Sequence, residues 1–116
     1  MYYMNHNVKV PTLGEFEVLV LTGVIAGKQA GEAYGVTIHD QVEKLVTPTR
    51  DVSLGSVYTT LDRLQQKGLV RSWYAGKTDE RGGRTKRCFE VTGLGNKALR
   101  AALIPMQRAL DLVQVG

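Results

Sequence analysis

The stretch Val52-Ser53-Leu54-Gly55-Ser56-Val57-Tyr58-Thr59-Thr60-Leu61-Asp62-Arg63-Leu64-Gln65-Gln66-Lys67-Gly68-Leu69-Val70 decides the fold. At about 100° per residue, Leu54, Val57, Leu61 and Leu64 fall on one narrow apolar face of a helix. The opposite face carries Ser56, Thr59, Thr60, Arg63 and Lys67, with no acid on its centre line. Ser53 is a good N-cap, because its side-chain oxygen accepts a hydrogen bond from a free amide of the first turn. Gly68 suits the left-handed position after the last turn, and Lys67 puts a cation at the helix C-terminus, where the dipole favours it. Leu69 and Val70 then turn to strand chemistry. A polar, basic helix face between two well-marked ends is what major-groove reading of DNA requires. An ordinary solvated face is the alternative, and the next segment of the chain weighs against it.

That segment is a basic hairpin. Residues 69–75 are rich in strand formers, residues 76–85 are a glycine-rich loop, and Lys86-Arg87-Cys88-Phe89-Glu90-Val91-Thr92 reads as a returning strand. The long tip holds Lys77, Arg81, Arg84 and Lys86. Its glycines let the backbone approach another surface. In the second strand Phe89 and Val91 share one face, with Cys88 and Glu90 on the other.

The charge distribution supports the same reading. The chain has 116 residues and a formal net charge of +4, enough length for one domain. Its hydrophobic share of 43% is sufficient for a core, and 22% charged residues is near average. From Arg50 to Arg87 there are nine Lys/Arg against four Asp/Glu, while the rest has six against seven. All the excess positive charge lies in this middle part, as a polyanion-binding face on a neutral body would have it. Cys88 is the only cysteine, which excludes an internal disulfide and makes a cytoplasmic protein the plain expectation. His6, His39 and Cys88 are too scattered for a metal site. The N-terminus has no signal-peptide pattern, and the longest apolar stretch, residues 18–26, is too short to span a bilayer.

Before the central helix the chain predicts an arm and two helices. Residues 1–10 lack helical periodicity. Thr12 and Glu15 form a capping box, with Pro11 and Phe16 placed to staple the helix start. From 13 to 26, the residues Leu13, Phe16, Leu19, Val20 and Val24, with Val18, Leu21 and Ile25, cover most of the circumference. A helix this apolar should be buried on more than one side, against its own core and a second subunit. Gly27 closes it, and residues 28–33 are a polar connection. Tyr34, Ile38, Val42 and Leu45 mark a second amphipathic helix, ended before Pro48. After the hairpin, Thr92 caps a helix from Gly93 onward. There Leu99, Leu103, Met106, Leu110 and Val113 form a heptad-like seam, and Pro105 should kink or break it near Ile104. Gly93-Leu94-Gly95 lacks the strand context of a nucleotide site and reads as the start of this helix.

Helix, helix, helix, basic hairpin is the order of a winged helix-turn-helix: mainly α with a two-stranded β wing. The residues also resemble a family, the PadR-like transcriptional regulators, over residues 13 to about 95. The resemblance rests on Leu13-Gly14, Tyr34-Gly35, Leu54-Gly55-Ser56-Val57-Tyr58, Leu61, Leu64 and Lys67-Gly68-Leu69-Val70. It continues through Gly83-Arg84-Thr85-Lys86 and Phe89-x-Val91-Thr92-x-x-Gly95. The chain departs from the family at Thr59 and Thr85, where proline is usual, and at Cys88, where an aromatic is. It looks like the short subgroup with a single C-terminal helix. The resemblance implies a homodimeric transcriptional repressor whose first and last helices make the dimer.

The expected organisation is an arm (1–11), a winged helix-turn-helix DNA-binding domain (12–92) and a C-terminal dimerisation helix (93–116). Ser53, Ser56, Thr59, Thr60, Arg63 and Lys67 are the expected DNA contacts of the reading helix, with Arg63 the best candidate for a guanine edge. Tyr58 lies between the two faces, suited to touching a phosphate or to half-buried packing. Arg84 and Lys86 should neutralise phosphates, whereas the strand parity of Arg87 with Phe89 suits it to anchoring the wing base. Leu99, Leu103, Met106, Leu110 and Val113 are the expected dimer interface, because an exposed apolar stripe usually marks one. Double-stranded DNA and a second copy are the expected partners. Trp73 and Tyr74 suit wing packing, but an aromatic near a dimer groove can also bind a flat molecule, so a small aromatic or hydrophobic effector is included. No cofactor, metal or catalytic residue is expected: no nucleophile–base pair or paired-carboxylate motif stands out. The competing function is a winged-helix protein-interaction module that does not bind DNA, and the charge asymmetry argues against it.

Overall fold

A computed structural model describes residues 9–75 and 85–114. Four helices and one antiparallel hairpin follow in the order α1 (Glu15–Gln29), α2 (Gly35–Val46), α3 (Leu54–Gln66), β1 (Val70–Ala75), β2 (Lys86–Val91) and α4 (Gly93–Val113). This is a winged helix. Its core is built where the apolar faces of α1, α2 and α3 meet the wing base: Leu21, Val24, Ile38, Val57, Leu61 and Phe89 are all essentially inaccessible.

The first helix begins two residues later than the Thr12–Glu15 box predicts. Gly14 is the N-cap, and its amide donates to Glu17 Oε1 at 2.9 Å. Glu15 instead faces Arg50 at 3.2 Å. The helix also runs past Gly27, which packs against Ala33 rather than ending the element. Along α2 the buried seam is Ile38, Val42 and Val46, while Leu45 is exposed. The seam steps by four throughout and passes over Leu45.

The wing strands pair from Val70↔Val91 to Ala75↔Lys86. The connection between α1 and α2 adds a short bridge to the far edge of β2: Phe89 N–H donates to the Ala33 carbonyl at 2.8 Å, and Tyr34 pairs with Cys88. Residues 33–34, read from the sequence only as part of a polar linker and a helix start, therefore pin the wing to the helical body. Cys88, paired with Tyr34 in this bridge, is 4% exposed.

Pro105 does not end α4, which continues to Val113. Proline removes one helical N–H and crowds the preceding turn. Beyond Arg100 most of this helix is exposed, so water can satisfy the carbonyl left without a partner. Thr92 caps the helix as predicted, its Oγ1 accepting from Gly95 N at 3.0 Å. Among the described residues no helix is long and apolar enough to cross a membrane.

Candidate nucleic-acid interface

Helix α3 starts at the predicted cap: Ser53 Oγ accepts from Ser56 N at 3.0 Å, and Ser56 Oγ donates back to the Ser53 carbonyl at 2.8 Å. Its end is set by Gly68 at φ +78°, a left-handed conformation that glycine adopts without strain. Between these ends the helix is rolled relative to the sequence expectation. Its buried residues are Val57, Thr60, Leu61 and Leu64, whereas Leu54 is exposed. Leu54 opens the first turn at the margin of the core, so packing selects the three leucine and valine positions deeper in and takes Thr60 with them.

This roll corrects two expectations. Thr60 is only 4% exposed and faces the core, so it is not presented to a groove. Asp62 lies on the exposed side, so the outer face does carry an acid. The exposed surface includes Gly55, Ser56, Thr59, Asp62, Arg63 and Gln66, with Leu54, Tyr58 and Gln65 exposed at its margin. Gly55 and Gln66 join this face, although a face drawn with Leu54 on its apolar side includes neither among the DNA contacts. Arg63 has no ion-pair partner among the described residues. Tyr58 is 38% exposed and also packs on the start of α2. Its hydroxyl lies so close to Gly35, at the start of α2, that a Cβ there would come within 2.0 Å of it.

Two of the expected phosphate contacts form ion pairs with the protein's own acids. Lys67 donates to Glu17 Oε2 at 2.7 Å. Glu17 is a nearly buried carboxylate on α1. Burial raises its pKa, but the Lys67 hydrogen bond, the Gly14 amide and the charges of Lys67 and Arg63 outweigh it and leave the carboxyl below its ordinary value. The available signal for this pair was a second acid, two positions after Glu15, at the start of a mostly apolar helix. Lys86 donates to Glu32 at 3.1 Å and lies 4.6 Å from the Tyr34 ring centroid. Its pKa is raised, first by the Glu32 hydrogen bond and then by the Glu32 charge. Arg84, and with it Lys77 and Arg81, lies outside the described residues.

The wing is attached to α3 by Arg87, as its strand parity suggested. Its guanidinium donates to Asp62 Oδ1 at 3.0 Å, to Gln65 Oε1 at 2.8 Å and to Ser72 Oγ at 3.3 Å. On α2, His39 Nε2 lies 2.7 Å from the Val52 carbonyl. A carbonyl only accepts, so Nε2 carries the hydrogen. The Val52 bond raises the His39 pKa most. Burial opposes it, and Asp40 and Glu43 raise it further. His39, Asp40 and Glu43 bring three potential metal ligands within 4.8 Å of one another. Of the three, His39 ties α2 to the residue preceding the Ser53 cap, and Asp40 and Glu43 flank its ring.

The expected interface on α4 divides at Leu99. That side chain is 4% exposed and belongs to the core of its own chain, so it is not available to a partner. Leu103, Met106, Leu110 and Val113 are exposed. Between this helix and the start of α1 runs an apolar groove of about 490 Å³, bordered by Val10, Leu13, Val18, Ala102, Pro105 and Met106. Neither Trp73 nor Tyr74 lines it. Trp73 instead borders a cleft of about 100 Å³ beside Cys88 and Phe89.

Several solved structures share this fold. A PadR-like transcriptional regulator from Bacillus cereus is 22% identical, with a TM-score of 0.63 over 84% of this chain and 88% of that one. A PadR family regulator from Clostridium difficile is 20% identical, with a TM-score of 0.59 over 88% and 94%. Bacillus subtilis PadR, in complex with operator DNA, is 18% identical, with a TM-score of 0.60 over 77% of this chain and 47% of that one. No functionally curated protein matches by sequence. The sequence profile of the transcriptional regulator PadR-like family matches residues 24–101, from the second half of α1 through the wing to the start of α4. The chain therefore belongs to the PadR-like family of transcriptional regulators.

Proposed function

We propose that the protein is a sequence-specific double-stranded DNA-binding regulator, acting as a homodimeric repressor on a two-fold symmetric operator. The observation that carries this reading is the exposed face of α3. Ser56, Thr59 and Arg63 stand on a helix capped at its start, with a basic hairpin at its flank. The same fold in Bacillus subtilis PadR was solved with operator DNA. Residues 12–92 would form the DNA-binding unit and the helix from 93 the dimerisation element, with residues 1–11 as an arm. Leu103, Met106, Leu110 and Val113 would meet the partner. A small hydrophobic or aromatic effector would find its place in the apolar groove between α1 and α4, whose volume suits such a molecule.

Salt dependence separates this reading from a protein-interaction module. Lys67 and Lys86 are paired internally, so phosphate neutralisation falls to Arg63 and the wing tip. If the dimer neutralises roughly 4–6 phosphates, log K should fall with log salt at a slope near −4 to −5. A flat response on fragments of the promoter beside its own coding region would favour the interaction module. Arg63→Ala should weaken specific binding by about 1–3 kcal/mol and relax base preference at one position in each half-site. A uniform loss on every sequence would make Arg63 a phosphate anchor.

A further inference from the structure

We propose that Arg87 is a positioning residue that latches the wing to the reading helix, and that its charge is taken up by Asp62 rather than offered to DNA. The inference rests on the DNA-binding reading above and adds to it the device that sets the wing. The latch closes on both strands of the hairpin and on two turns of the helix. From β2, the three nitrogens of one guanidinium reach Asp62 and Gln65 on α3 and Ser72 on β1. Ser72 Oγ donates in turn to Gln65 Oε1 at 2.7 Å. The guanidinium carbon stands 4.9 Å from the centroid of the buried Phe89 ring, so the planar head is also held against the wing base.

Asp62 is the informative partner. Its side chain is 56% exposed, and an acid on the outer side of a helix that faces phosphates would repel them. Paired with Arg87 it is neutralised in place, and the pair still spans helix and wing. A planar fork carries its donors to these three acceptors in fixed, well-separated directions, whereas an ammonium gathers its donors on one nitrogen at the end of a flexible stem. The latch thus presets the distance between the contacts made by α3 and those made by the wing. Less ordering remains to be done when both engage the duplex.

The test uses the full chain with Arg87→Met, which keeps an unbranched stem over Phe89, together with Asp62→Asn and the double variant. In the DNA-free protein, Arg87→Met should speed hydrogen exchange tenfold or more in β1 and β2 while leaving α1 unchanged. Unaltered wing exchange would overturn the latch. Binding is then measured on a duplex selected by the parent from a random-sequence pool, beside an unselected duplex. Arg87→Met should weaken the selected duplex tenfold or more with the salt slope unchanged, and Asp62→Asn should restore much of that loss in the Arg87→Met background. A phosphate-binding Arg87 would instead flatten the slope by about one per subunit and make Asp62→Asn act equally in both backgrounds. Either result overturns the proposal. If Arg87→Met does not fold, Arg87→Lys keeps the charge without the fork and should lose only the part of the binding that Asp62→Asn does not restore. A parent that binds neither duplex would sink the DNA reading, and the exchange data would still decide the latch.

Discussion

Arg63 and Lys67 stand four residues apart on one helix, yet their charges meet different surroundings. Lys67 reaches back to Glu17, 50 positions earlier, whereas Arg63 acts on the same carboxylate only at longer range and makes no ion pair among the described residues. Glycines near the end of the chain show the same dependence on surroundings. Gly93 faces open space, but a Cβ on Gly95 would lie 2.1 Å from the Leu69 carbonyl oxygen and 2.8 Å from Val91. Gly93→Ala should therefore stabilise the protein by about 0.4–1 kcal/mol, chiefly by restricting the unfolded chain. Gly95→Ala should cost about 1–3 kcal/mol, because a backbone oxygen cannot step aside as a side chain can. Urea denaturation of both variants checks the pair. Equal effects would mean that α4 is not seated as closely on the turn after α3 as these distances require.

At the scale of elements, α3 is held at both ends by its neighbours. Thr92 Oγ1 donates to the Gly68 carbonyl at 2.7 Å, and Thr92 N–H donates to the Leu69 carbonyl at 3.0 Å, which fastens the start of α4 to the turn after α3. At the other end His39 holds the Val52 carbonyl. The folded-state pKa of His39 is raised. Its protonation therefore stabilises the fold fully below the unfolded value of about 6.5, and that contribution is lost as pH rises through the folded value. Thermal unfolding of the parent and His39→Gln, followed from about pH 5.5 to 8.5 across that value, should show a difference that is largest at the acid end and shrinks on going alkaline. A gap that stays constant with pH would mean that only the neutral Nε2–H bond to Val52 matters. Glu17 runs the opposite way. Its pKa is lowered, so its contribution holds above the unfolded carboxyl value and fades as pH falls through the folded one.

On the scale of the whole molecule, the exposed half of α4 carries the boldest expectation. Met106 is 62% and Leu110 46% exposed, so changing both to Glu removes nothing from the core of a single chain. A second copy is the commonest way to cover such a stripe, and the groove beside α1 continues the same apolar surface. The double variant Met106→Glu, Leu110→Glu should keep its helical spectrum, sediment as a monomer and lose specific binding. The physical reason is spacing: a two-fold pair would set two reading helices about one DNA turn, roughly 34 Å, apart. Sedimentation of parent and variant at matched concentration decides it. A parent that is monomeric at micromolar concentration while binding one asymmetric site would exclude the dimer.

Local chemistry made much of this protein legible in one dimension. The Ser53 cap, the Gly68 stop and the Thr92 cap depend on neighbours three or four positions away, and each is found where the chain predicts it. The family's ordered residues were legible for the same reason, since they mark helix starts, turns and the wing base. What the chain alone could not reveal depended on partners distant in sequence. Whether Thr60 or Leu54 faces inward was decided by how α3 rolls against α1 and α2. Whether Lys67 and Lys86 are free cations was decided by Glu17 and Glu32, 50 and 54 positions away. Leu99 looked like one more member of an exposed seam but lies in the core. Helical periodicity records which residues share a face, not how far along the helix the core extends. A charge or a methyl group has its chemistry in the sequence; what it does with that chemistry is settled by which other groups the fold brings within reach.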